Sequence, residues 1–299
     1  ILLVLLSLFL SFGLMADDSN DDSKKEETKE ESKEESKKDD RELISEFVEE
    51  FITYEGLLKS YQDPENGNTY IELSDEDISK EFIYFAHIIN GTVEAGLFKG
   101  SHIDQAVIKF EKQFNSLNLV RVNTEYYFDP DSELSRQSQS NISDSVIENF
   151  EITHKNEDEN TYLIDITKLL KSDNLTKLKS EPRDYESDSF GVGSLSRSKT
   201  AISKIYNYPN NTDFEVDYVF SNPASYESLR NTSVKLRYTF LEMPQDNGFE
   251  IRFEDPRIGY FTDRVTDLSS TEITPYRDLV QKWNLSLIHI SEPTRRDQI

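Results

Sequence analysis

The chain has 299 residues, 33 Lys and Arg against 58 Asp and Glu, a formal net charge of -25, and no cysteine. Its length allows one large domain or two smaller ones with a sizeable core. The acidity argues against nucleic acid and anionic membrane surfaces as partners, since both need clustered Lys and Arg, and the lack of cysteine excludes disulfides, thiolate metal ligands, a cysteine nucleophile and a lipid-modified cysteine.

Residues 1–16 carry no charge and give way abruptly to Asp17. They are short for a membrane span, which needs about 20 apolar residues, and suit the apolar region of a signal peptide that lacks its basic start. Ala16 fits a cleavage position, although Leu14 is larger than the residue usually found two places earlier. No stable membrane span is expected. Residues 17–40 follow with 12 acidic residues and 6 lysines in a four-residue rhythm. They have no apolar face to bury, so a disordered acidic and lysine-rich linker is expected.

The first apolar periodicity comes at Leu43, Ile44, Phe47, Val48, Phe51 and Ile52, one stripe of a helix, with Gly56 suited to the position just past its end. Leu57–Tyr61 and Thr69–Leu73 read as strands around a turn at Asn66-Gly67. Ser74–Asp77 looks like a short helix start, and Glu81–Ile89 like a buried strand. Gln105–Phe110 and Leu117–Val122 alternate as paired strands. Ser143–Phe150 opens with a capping residue and reads as a short helix. Thr161–Ile166 is a strand running into a helix near Thr167–Ser172. Residues 173–198 are polar and broken by Pro182, Gly191 and Gly193, as in a long loop or short helices. Ala201–Tyr208, Phe214–Phe220, Ser233–Leu241 and Phe249–Phe253 alternate with period two, and Val234, Leu236, Tyr238 and Phe240 share a face. The expected class is a β-rich α+β fold, antiparallel sheets with a few short helices, preceded by the charged tether.

Chemistry is sparse. The histidines are His87, His102, His154 and His289. His87 lies in an apolar strand, where a structural role is expected, and there is no H-E-x-x-H. Gly191-Val-Gly193 lacks the spacing and the lysine of a phosphate loop, and Ser196 is not in a nucleophile elbow. Asp129-Pro-Asp-Ser132 does not have the spacing of an EF-hand. No residue of this chain is assigned a catalytic, cofactor-binding or metal-binding role.

Several stretches resemble a family of large secreted bacterial zinc-dependent metalloproteases. Glu55-Gly-Leu-Leu-Lys-Ser-Tyr61 with Tyr70-Ile-Glu-Leu73 is similar to that family's G-L-F-x-L-Y … Y-L-E-I opening. Val107-Ile-Lys-Phe-Glu111, Asp144–Phe150 and Ile164-Asp-Ile-Thr167 have counterparts in the same order. The sharpest match is Phe253-Glu-Asp-Pro-Arg-Ile-Gly-Tyr-Phe261 followed by Tyr276-Arg277 and Lys282-Trp283, similar to D-P-R-V-G-Y-F … Y-I-x-R-W-R-L. Lys282 stands where Arg is commoner, and the family's Gly-rich stretch is reduced around Gly91–Gly100.

The resemblance implies that these segments are two N-terminal domains of unknown function, a small one over 41–90 and a β-rich one over 91–284. It also implies that a metzincin-like protease domain follows them. Zinc and its ligands are then expected in that downstream domain. The partners implied are that domain and the protein or peptide substrates of the parent, in a secreted, periplasmic or cell-envelope setting. Residues 285–299 read as adapter-derived, because Leu285–Arg295 resembles a translated sequencing-library adapter. Two other readings are a stand-alone secreted or periplasmic β-rich module that binds peptide or glycan, and a hydrolase using scattered carboxylates. Asp255-Pro-Arg-Ile-Gly259 suits either a docking element that contacts the downstream domain, with Pro fixing φ, Gly allowing a bend and Arg257 able to fork onto a carboxylate, or a turn between two strands.

Overall fold

The computed structural model describes residues 43–128, 132–134, 142–156, 159–178, 191–221, 231–244, 252–255, 257, 259–269 and 276–281. The tracts 1–16, 17–40 and 285–299, and Asp129–Asp131, Lys282 and Trp283, lie outside them.

The described residues are β-rich, as expected, with antiparallel sheets and a few short helices. In chain order the strands are β1 (Ile52–Tyr54), β2 (Ser60–Gln62), β3 (Thr69–Ser74), β4 (Glu81–Asn90), β5 (His102–Gln113), β6 (Ser116–Arg121), β7 (Tyr126–Tyr127), β8 (Ser145–Asn156), β9 (Thr161–Asp165), β10 (Ser194–Leu195), β11 (Ala201–Tyr208), β12 (Asn211–Ser221), β13 (Asn231–Glu242), β14 (Thr262–Asp267) and β15 (Tyr276–Val280). The helices are α1 (Ile44–Phe47) and α2 (Thr167–Leu170). Twelve strands form one sheet in the order β1-β2-β3-β9-β8-β6-β5-β4-β13-β12-β10, with β11 also pairing β12; β15-β14-β7 form a second, small sheet.

The alternation read in the sequence sets the faces of the large sheet. Phe82, Tyr84, Ala86 and Ile88 of β4, Phe214, Val216, Tyr218 and Phe220 of β12, and Val234, Leu236, Tyr238 and Phe240 of β13 all point into one core. So do Leu58, Ile71, Ile108, Phe110, Leu117, Phe150, Ile164 and Ile205, from the other end of the sheet and its middle. One core shared by both ends requires the sheet to curl on itself, which also removes most of its open edge. The two ends meet at a seam. Leu57 N–H donates to Tyr208 O at 2.8 Å, and the Asn207 side-chain amide donates to Tyr54 O at 2.8 Å and Leu58 O at 2.7 Å. Thr212 Oγ1 closes the arrangement, accepting from Leu58 N–H at 3.0 Å and donating to Asn207 Oδ1 at 2.6 Å.

Gly56 belongs to this seam and not to a helix end. A Cβ there would sit 2.1 Å from Asn207 Oδ1 and 2.7 Å from Tyr208 N, so glycine is what lets Asn207 approach. The stripe at 43–52 gives only one turn of helix, because Ile52–Tyr54 pair with β2 and the sheet takes over their backbone hydrogen bonds. Its apolar face is nonetheless used. Ile44 and Val48, with Phe47 and Phe51 alongside, cover Tyr61, Tyr70 and Leu163 on the outside of the sheet.

Three further expectations are corrected. Ser143–Phe150 is strand, not helix: β8 pairs with β6 from Ser145↔Arg121 to Glu151↔Ser116. Asp144 does not cap a helix but accepts Asn123 N–H at 2.9 Å and pairs with Lys109 at 2.9 Å. Ser74–Asp77 is a turn, closed by Asp77 Oδ2 accepting Ser74 N–H at 3.0 Å. The start of the long polar tract is not a surface loop, since Ser172, Leu175, Thr176 and Leu178 are buried with α2 in the core. Three tyrosines on adjacent strands hold it there. Tyr218 Oη donates toward Leu170 O at 2.6 Å and Ser172 O at 3.0 Å, carbonyls that the short helix leaves open, and lies 2.7 Å from Tyr238 Oη, while Tyr84 Oη bonds Thr176 Oγ1.

The expected division at residue 90 runs through the large sheet. β4 ends there, yet it lies between β5 and β13, and β3 pairs with β9.

Candidate functional site

The small sheet is unlike the rest of the molecule. β14 and β15 pair from Thr262↔Val280 to Thr266↔Tyr276, and β14 continues parallel onto β7. Phe253 bridges Leu279 on the far side, with Glu254 N–H donating to Asp278 O at 2.8 Å and Val280 N–H to Arg252 O at 2.9 Å. Of the described residues in these strands only Asp267 is buried. The aromatic rings face water: Phe261 is 82% exposed, Tyr276 61%, Tyr260 41% and Phe253 38%.

Among the described residues of this sheet, arginine–carboxylate and arginine–ring pairs add to the backbone ladder. Arg264 forks onto Asp278 across the strands at 2.9 and 3.2 Å, which holds the Asp278 carboxyl below the usual range. Arg277 pairs with the buried Asp267 at 2.9 Å and lies over the Phe253 ring at 4.7 Å, and Arg252 lies over Tyr260 at 5.1 Å. Phe253 and Tyr276-Arg277, the two halves of the sharpest sequence match, thus come together in space. Arg257 does fork onto a carboxylate, but onto Asp255 of its own turn, at 2.9 Å from Nε. A Cβ at Gly259 would meet nothing, so no steric reason for glycine exists at that position.

A second polar constellation crosses the outer face of the large sheet. One register row runs Lys204, Glu215, Arg237, His87, His102 over five strands. Arg237 pairs with Glu215 through Nη2, and its Nη1 lies 3.7 Å from Asp213. Tyr206 lies 5.2 Å from the guanidinium, and Phe85 packs against both His87 and His102 at 5.4 and 4.9 Å. His87 is therefore on the outer face, not among the core side chains of β4. His154 is elsewhere, stacked on Phe47 at 4.0 Å.

Among the described residues no three His, Asp or Glu side chains converge so as to hold a metal ion. A hollow of about 320 Å³ is lined by Lys112, Lys155, Asn156, Asn160 and Tyr162. Its central phenol is already engaged, accepting from Lys112 at 2.6 Å and donating to Asp75 at 2.9 Å. No helix among the described residues is long and apolar enough to cross a membrane.

A family described as a domain of unknown function, DUF5117, matches residues 100–287. The chain belongs to the DUF5117 family. No curated protein and no solved structure matches it. The DUF5117 match starts just before β5 and takes in the small sheet, so the exposed rings fall inside it. It omits β1 to β4, which the same large sheet contains. Sequence reasoning singled out Phe253–Phe261 and Tyr276-Arg277 by resemblance; the Arg264–Asp278 fork and the charged row it did not find. Only strand register creates these, between consecutive strands for the fork and between strands distant in sequence for the row, and no local pattern carries it.

Proposed function

We propose that this chain is the accessory, non-catalytic N-terminal region of a secreted zinc-dependent metallopeptidase, and that its small sheet receives the protease domain. What supports the reading is the small sheet itself. The segment resembling the element before the protease in that family forms a surface of exposed aromatic rings and arginines. Aromatic residues and Arg are the types enriched at the centres of protein interfaces. The setting that goes with it is the periplasm, the cell envelope or the exterior. Zinc and the peptide-hydrolysing groups belong to the downstream domain in this proposal, and no residue of this chain is assigned to them.

Sequencing the gene past the codon for Asn284 is the first test. An open frame of several hundred residues containing H-E-x-x-H supports the proposal, and a stop codon or an unrelated frame overturns it. In the parent, replacing both Phe261 and Tyr276 by Ser should loosen docking, read as faster proteolytic separation of the two parts with the large sheet intact. Trp283, the sole tryptophan, gives an optical readout. Its emission should be further to the blue in the parent, with other tryptophans replaced, than in this chain alone.

A further inference from the structure

The row across the outer face carries an electrostatic arrangement that neither the core nor a docking role calls for. Arg237 stands between two carboxylates on one side and the His87 imidazole on the other. Glu215 and Asp213 are only 3% and 7% exposed, so the carboxylates pairing Arg237 are largely removed from water. Two buried atoms on the Arg237–His87 side have no hydrogen-bond partner: Arg237 Nε and His87 Nδ1. Arg237 and His87 are register partners on adjacent strands. Two residues paired in register on neighbouring strands thus each hold a buried side-chain nitrogen that no hydrogen-bonding group serves.

We propose that His87 is a proton-sensitive strut in the β13–β4 junction, holding the outer face closed while neutral and loosening it when protonated. With its proton on Nε2, neutral imidazole presents a lone pair at Nδ1, which the neighbouring guanidinium charge favours over an N–H. Protonation makes Nδ1 a second buried N–H donor and places a positive charge beside the guanidinium. The groups facing His87 are Arg237 from β13, Glu215 and Asp213 from β12, and His102 from β5. The two carboxylates favour the proton, but both are already engaged by Arg237, and Asp104 of β5 is held by Arg121 at 3.1 Å. Phe85, packed on the ring, offers no acceptor. Burial, and then the charge of Arg237, hold His87 below its ordinary value, in line with this geometry.

The sign follows from linkage. Above the unfolded histidine pKa of about 6.5 neither state binds the proton and no stability is lost. As pH falls below it the unfolded chain takes the proton first, so stability drops until the pH passes the depressed folded value. The loss falls within the range where carboxylates have barely begun to titrate, and its structural seat is the row that ties β12, β13 and β4 together.

The experiment is urea unfolding of the full chain between pH 7.5 and 5.5, for the wild type, His87→Gln and His87→Phe. The wild-type midpoint should fall over that range, and both variants should fall markedly less. The imidazole resonances of the wild type give an independent reading that needs no variant to fold: the His87 midpoint should lie below the free-histidine value. Equal pH dependence in wild type and variants, or a His87 midpoint at or above the free value, overturns the proposal.

Discussion

At the scale of single residues, the seam shows how one missing methyl group decides an architecture. Gly56 has no unusual φ, and its role is to leave room for the Asn207 amide that stitches Tyr54 and Leu58 to the far end of the sheet. Gly56→Ala should destabilise the chain by about 1–3 kcal/mol, the usual cost of overpacking, read as a lower urea midpoint with unchanged far-ultraviolet dichroism. The cluster Lys59, Tyr61 and Glu72 makes a second case. Burial, and then the bond it donates to Glu72 at 2.6 Å, push the Tyr61 phenol up to about 12. Burial works against the Glu72 charge, yet Tyr61 and Lys59, the latter at 3.2 Å, bring its carboxyl below the usual value. A depressed acid stabilises above the unfolded value of about 4.3 and loses that contribution as pH falls through its folded value. Glu72→Gln should therefore lower the midpoint at pH 7 and flatten the acid limb of the stability curve below about pH 4.5.

Among the elements, what was legible in the sequence follows the period of its buried side chains. β4 and β13 could be read residue by residue because each buries every second side chain in an unbroken run, from Phe82 to Ile88 and from Val234 to Phe240. β8 could not. Its start, Ser-Asp-Ser-Val-Ile-Glu, carries a helix-capping signature, and the alternation of Phe150 and Ile152 begins only where the expected helix ended; pairing with β6 decided it. Nor could the helix α2 and the residues after it be read as an internal plug. Ser172 and Thr176 look like surface residues until Tyr84 and Tyr218 supply their region with partners. The candidate site divides the same way, its aromatic segment visible as a motif and its arginine forks visible only in register. The plug makes a direct prediction. Tyr218→Phe leaves the Leu170 and Ser172 carbonyls without their donor in the core. It should cost about 1–3 kcal/mol, the penalty for an unsatisfied buried group, and amide exchange should accelerate first in 169–178.

For the whole molecule, the question is which stretch of chain is the folding unit. The family match begins at residue 100 and by itself gives no reason to look further back. The sheet does. β4 donates and accepts along both its edges, to β5 from Glu81↔Lys109 and to β13 from Leu236↔Ile88. It also contributes Phe82, Tyr84, Ala86 and Ile88 to the core, each at most 1% exposed. Without it, β5 and β13 become open edges flanking a slot, and open apolar edges invite pairing between chains. β3 and the seam at Gly56 are lost as well. Burying four such side chains is worth several kcal/mol, at roughly 1.5–3 kcal/mol for each large one, against a total stability of about 5–15 kcal/mol. Residues 100–287 expressed alone should therefore aggregate or remain without a cooperative unfolding transition, whereas 41–287 should unfold cooperatively. Adding a synthetic peptide of residues 79–92 to the shorter piece should restore part of its solubility if the slot is what fails. A cooperative, monomeric 100–287 would show that β4 is an ornament of the sheet and not a member of its core.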